Sequence, residues 1–120
     1  MSSQQPSQFL LLYREASDRP EVSPAEMQRI FNEWMAWLNT QRNENRLIAS
    51  NRLNDAGKVL RGSTSVTDRP FAEAKEVVGG FVVITAENLD HATQIARSCP
   101  GLSYGGSMEV RPIEPKVART

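Results

Sequence analysis

Gly80-Phe81-Val82-Val83-Ile84-Thr85 is an apolar run of strand length, preceded by the Gly79-Gly80 pair and followed at Asn88 by a helix-capping residue. How this run is read decides the fold. Its apolar residues are consecutive rather than alternating with polar ones, which is the pattern of a strand covered on both faces. Phe9-Leu10-Leu11-Leu12-Tyr13 has the same character near the other end of the chain. The sequence therefore predicts two central strands.

Outward from Thr85, Asn88 caps a helix in which Leu89, Ala92, Ile95, Ala96 and Cys99 recur at helical spacing until Pro100-Gly101 ends it. The glycine-rich turn Ser103-Tyr104-Gly105-Gly106 then delivers a strand from Ser107 to Ile113, in which Met108 and Val110 face inward and Glu109 and Arg111 face the other way. Outward from Tyr13, a polar connection over 14–22 leads to Ser23-Pro24-Ala25-Glu26. Here Ser23 caps, Pro24 suits the first helical position and Glu26 completes a capping box. The helix is predicted from Pro24 to about Asn43. Met27, Ile30, Phe31, Trp34, Trp37, Leu38 and Gln41 trace one broad face, with both tryptophans pointing roughly at the sheet, and Asn45 serves as a left-handed stop. Leu47–Leu53 reads as a strand, Asn54-Asp55-Ala56-Gly57 as a turn and Lys58–Val66 as a returning strand, so these two are expected to pair as a hairpin.

The order strand, helix, strand, inserted hairpin, strand, helix, strand is an α+β arrangement of ferredoxin-like split β-α-β type. Both helices belong on one side of the sheet, so the other apolar face needs cover from elsewhere. A second copy of the chain supplies it, and a homodimer with its two sheets facing each other is the expectation. Residues 1–7 are expected to be a flexible N-terminus, 8–113 a single domain and 114–120 a flexible tail.

Composition narrows the function classes. At 120 residues with 39% hydrophobic and 23% charged residues, the chain is an ordinary one-domain globular sequence. Fourteen basic and fourteen acidic residues give no net charge, against a nucleic-acid surface built on phosphate contacts. No apolar run approaches the roughly 20 residues that span a bilayer. No basic residue precedes Phe9, so a secretory leader is not expected and a cytoplasmic location is. Cys99 is the only cysteine and reads as a small buried hydrophobe.

Candidate chemistry gathers in Val66-Thr67-Asp68-Arg69-Pro70-Phe71-Ala72-Glu73-Ala74-Lys75-Glu76. Asp68 either acts as a general base, with burial raising its pKa, or caps the turn at Pro70 through an Asx-type bond. Glu73 and Lys75, with Arg52 or Arg111, either bind an anionic or carbonyl-bearing ligand or form a surface ion-pair cluster contributing under about 1 kcal/mol. Tyr13 and Phe71 are placed to wall a cavity between sheet and loop, while Trp34 and Trp37 read as packing residues. Neither glycine pair has phosphate-loop spacing, and no His, Cys and carboxylate cluster has metal-ligand spacing. No cofactor, metal or nucleophilic triad is expected.

Thr67-Asp68-Arg69-Pro70-Phe71-Ala72-Glu73-Ala74-Lys75-Glu76, Gly79-Gly80-Phe81 and Gly106-Ser107-Met108-Glu109-Val110-Arg111-Pro112 together resemble the YCII-related family, in particular its DGPF-domain branch. The likeness runs from the Phe9 strand to Ile113, with Arg69 standing where the branch's naming motif has Gly. The resemblance implies a dimeric α+β barrel of ferredoxin-like protomers and a kinship with lyases and other small-molecule enzymes of that class. Some YCII-like proteins carry a suspected His–Asp pair, whereas this chain has only His91, on the flank of the second helix. The resemblance also implies a tie to extracytoplasmic-function sigma factors, and with it the alternative of a non-catalytic accessory or regulatory protein acting through protein contacts.

Overall fold

The computed structural model describes residues 7–16, 18, 20–63, 65–67 and 76–115. In chain order the elements are β1 (Ser7–Ala16), α1 (Pro24–Asn43), β2 (Leu47–Arg52), β3 (Val59–Arg61), β4 (Ser65–Thr67), β5 (Glu76–Ala86), α2 (Leu89–Arg97), a 3-10 helix over Pro100–Tyr104, and β6 (Ser107–Pro112). Four strands form one antiparallel sheet in the order β2-β5-β1-β6, and β3 and β4 pair only with each other. With the two helices on one face, this is the ferredoxin-like α+β arrangement expected from the element order.

The helix ends follow their sequence signals. Ser23 Oγ accepts the Glu26 backbone N–H at 3.1 Å with Pro24 in the first turn, so α1 starts at the box. It stops where Asn45 turns left-handed at φ 62°. Asn88 Oδ1 accepts the His91 N–H at 2.8 Å and opens α2. Pro100 does more than end α2: it starts the 3-10 helix, whose cap is the Cys99 sulfur accepting from Gly101 N–H.

The two long apolar runs sit side by side at the sheet centre, Leu11 opposite Val82 and Phe9 opposite Ile84. Period-two alternation sends Phe9, Leu11, Val82, Ile84 and Ala86 under the helices. There they meet Trp37 and Leu38 of α1, Ala92, Ile95 and Ala96 of α2, and Cys99, with Met108 and Val110 of β6 at the margin. The tryptophans are packing residues, as expected. Trp34 and Trp37 touch edge to face at 5.9 Å, and Trp37 Nε1 donates to Ser98 Oγ at 2.8 Å. The opposite parity places Leu10 beside Val83 and Leu12 beside Phe81 on the sheet's outer face, where all four are half-buried.

One expectation is overturned. β2 does not form a hairpin with the segment after it. It pairs with β5, Arg52 opposite Gly80, while β3 pairs with β4 and Gly62, at φ 67°, follows β3. The physical reason is length and cover: the apolar run of β5 from Phe81 to Ile84 takes the six-residue β2 along its free edge, whereas β3 is only three residues long and offers less to bury there. β1 also runs three residues past Tyr13, and Glu15 and Ala16 pair with Val77 and Glu76.

Candidate functional site

β1 carries its inward parity to its end. After Phe9, Leu11 and Tyr13, the next residue on the helix-facing side is Glu15, only 7% exposed. A carboxylate in that position needs a cation or hydrogen bonds to offset its lost hydration. Arg52, the last residue of β2, reaches across β5 and places its NH2 at 3.1 Å from Glu15 Oε2. The Arg52 side chain is 62% exposed, so the pair has one buried carboxylate and one guanidinium at the surface.

β5 makes room for this pair by a bulge. The register slips between Tyr13 and Arg14, opposite Gly80 and Val78, leaving Gly79 as the extra residue. The Glu15 carboxylate lies directly over Gly79, where any Cβ would overlap it. The glycine pair that marks this strand in the sequence is therefore a close-approach device for a carboxylate. Tyr13 is fixed beside it. Its hydroxyl donates to Gly101 O at 3.3 Å, its ring meets Trp34 edge to face at 5.1 Å, and the backbones of Gly101 and Gly106 press on the ring where a Cβ would clash. Tyr13, Glu15 and Arg52 thus gather at one end of the sheet, on the helix side.

Arg111 lies elsewhere. It is on the outer face, where Arg111 NH1 stands 3.2 Å and Arg14 NH2 2.8 Å from the two oxygens of Glu109. Hydrogen bonding from Arg14, then from Arg111, holds the Glu109 carboxyl below its ordinary range. Asp68, Phe71, Glu73 and Lys75 fall outside the described residues. The segment that bears them joins β5 at Glu76, whose strand partner Ala16 is the neighbour of Glu15. Among the described residues no three of His, Cys, Asp and Glu gather closely enough to hold a metal ion. Burial pushes the Cys99 thiol up to about 11, so it is not a ready nucleophile.

The apolar run that marks β1 in the sequence stops at Tyr13, which leaves Glu15 outside the predicted strand. The signal was present: Phe9, Leu11, Tyr13 and Glu15 share one parity, and a carboxylate continuing an apolar parity is a buried polar group. At the far end of the sheet His91 lines an open groove of about 240 Å³ with Glu44, Asn45, Arg46, Thr85, Ala86 and Glu87.

Residues 9–116 match the sequence model of the YCII-related domain family. A 53-residue stretch is 45% identical to an uncharacterized protein of Rhizobium meliloti (strain 1021), covering 43% of each chain. The match thus spans less than half the length of that relative. No described helix is long and apolar enough to cross a membrane.

Proposed function

We propose, from the premise that this chain belongs to the YCII-related domain family, that it binds a small organic anion or carbonyl compound on the helix side of the sheet, where β1 and β2 end and β5 begins. The observation that carries this is the buried Glu15 carboxylate laid over Gly79 and ion-paired to an exposed Arg52. A fold of this size has ample surface for charge. Burying a carboxylate against a bulged backbone calls for a partner to offset its lost hydration, and a buried, charge-paired carboxylate at a strand end is a recurrent feature of functional sites. Arg52 supplies a planar fork suited to a carboxylate or oxyanion. Glu15 supplies a base for lyase-like removal of a proton next to a carbonyl, and Asp68 remains a candidate second carboxylate.

The outer face supports a homodimer, with Leu10, Leu12, Phe81 and Val83 as the central patch of a sheet-to-sheet contact. Under this arrangement the Glu15 site stays within each protomer, and Arg111 belongs to the dimer face. The motif over Thr67–Glu76 supports a place in the DGPF branch.

The test is a thermal-shift and calorimetric titration with small mono- and dicarboxylates and keto acids. Wild type is expected to be stabilised by one chemical class, and Glu15→Gln and Arg52→Met to lose at least tenfold in affinity while melting within a few degrees of wild type. Equal binding by wild type and both variants would remove the site from consideration. A second reading, a non-catalytic accessory protein, is favoured by one feature: Met27 and Phe31, 62% and 55% exposed, form with Met35 an apolar stripe along α1. Absence of any stabilising compound in that titration shifts the weight to this reading.

A further inference from the structure

The start of α2 is capped from both directions. Asn88 Oδ1 accepts the His91 backbone N–H at 2.8 Å, and the His91 ring answers by accepting the Glu87 backbone N–H on Nδ1 at 3.1 Å. This is the reciprocal logic of a capping box, with an imidazole in the place where Glu or Gln ordinarily stands and reaching one residue further back. The substitution has a chemical consequence. A carboxylate accepts throughout the neutral range, whereas an imidazole nitrogen accepts only while it carries no proton.

A proton added at Nδ1 turns the acceptor into a donor aimed at a donor, and it places a positive charge at the positive end of the α2 dipole. Both effects oppose the closed cap. The charged groups that line the groove with the ring supply an alternative. Glu44 follows α1 and Glu87 follows β5, while Arg46, just before β2 and 3.9 Å from Glu44 Oε1, is the cation among them; Asp90 adds a further negative charge in the first turn of α2. The carboxylates attract an imidazolium out of the cap, and Arg46 opposes it. The part of α2 at stake is weakly held: Leu89 is exposed, and burial begins only at Ala92.

We infer that His91 is a pH-operated latch on the first turn of α2. It is closed when the imidazole is neutral and released when it is protonated, with the groove of Glu44, Arg46 and Glu87 receiving the released ring. Ala92, Ile95 and Ala96 stay anchored in the core, so release frays one turn and leaves the fold standing. Histidine is the side chain suited to such a switch because its ordinary charge change falls roughly between pH 5 and 8.

The test is amide exchange at Glu87, His91 and Ala92, followed by NMR on the intact chain from about pH 7.5 to about pH 5 and corrected for the intrinsic pH dependence of exchange. Protection at these three amides is expected to fall about fivefold toward acid, the scale of one net hydrogen bond, while protection at Ile84 and Ile95 holds. His91→Gln keeps a neutral acceptor at the same position and is expected to stay protected across the range. His91→Ala is expected to be unprotected throughout. Nitrogen-15 shifts of the ring give a check that needs no variant: at the upper pH the proton must sit on Nε2. A ring protonated at Nδ1 there, wild-type protection independent of pH, or His91→Gln falling in step with wild type would each overturn the latch.

Discussion

The two faces of the sheet are built from the same kind of residue and meet different fates. On the helix side Leu11 and Ile84 are fully buried, enclosed by Trp37, Leu38, Ala92 and Ile95. On the outer side Leu10, Leu12, Phe81 and Val83 are only half-buried, although the runs that contain them are equally apolar. The molecule is 18 Å across its thinnest dimension, about one helix layer on one sheet. Strand hydrophobicity therefore reports how much cover a strand calls for, and this protomer's own described elements supply it on one side.

Leu11→Ala tests the covered side and is expected to give the largest effect. A fully buried leucine in a closed core costs about 2–5 kcal/mol on truncation, readable as a lowered urea midpoint at constant slope. Leu12→Ala, one residue along, is expected to cost much less in the dilute protomer. Equal costs would mean that the outer face is as tightly enclosed as the inner one, and the contrast between the faces would collapse. Leu12→Asp sharpens the same comparison from the other side. It is expected to leave the dilute melting point nearly unchanged and to weaken self-association by at least tenfold in sedimentation equilibrium. A wild-type chain that stays monomeric at high concentration would defeat the sheet-to-sheet dimer outright.

Most of this architecture is legible in the sequence because its determinants are local. Ser23 and Pro24, Asn45 and Asn88 fix helix ends through contacts within a few residues, and the structure uses each one, although the Glu26 carboxylate pairs with Arg29 rather than completing the box. The pairing of β2 with β5 was not legible. Their contact joins Arg52 to Gly80 across an inserted hairpin, and a turn signal at Asn54–Gly57 pointed to the nearer partner. The site was half legible. Arg52 stands out for its charge, and Gly79-Gly80 as a glycine pair ahead of an apolar run. The carboxylate that needs both, Glu15, was hidden by ending a strand where its apolar run stopped. The Tyr13 ring packs between Trp34, Gly101 and Gly106, contacts that lie 21 or more residues away in the chain.

The charged strip on the outer face offers the smallest and most discriminating effect. Arg14 and Arg111 hold Glu109 below its ordinary range. A carboxyl of this kind binds its proton less readily folded than unfolded. It therefore adds stability above the unfolded value and loses it as pH falls through the folded one. In urea titrations from pH 6 to 3, Glu109→Gln is expected to flatten a minor part of the decline that begins near about pH 4. The effect should shrink in high salt, because the three side chains are a third or more exposed. Protein concentration then separates two arrangements of the outer face. An acid limb that moves with concentration puts Glu109 inside the contact between copies, since protonating it would then weaken association as well as the protomer. A limb that ignores concentration leaves the β6 edge wet and confines the contact to Leu10, Leu12, Phe81 and Val83.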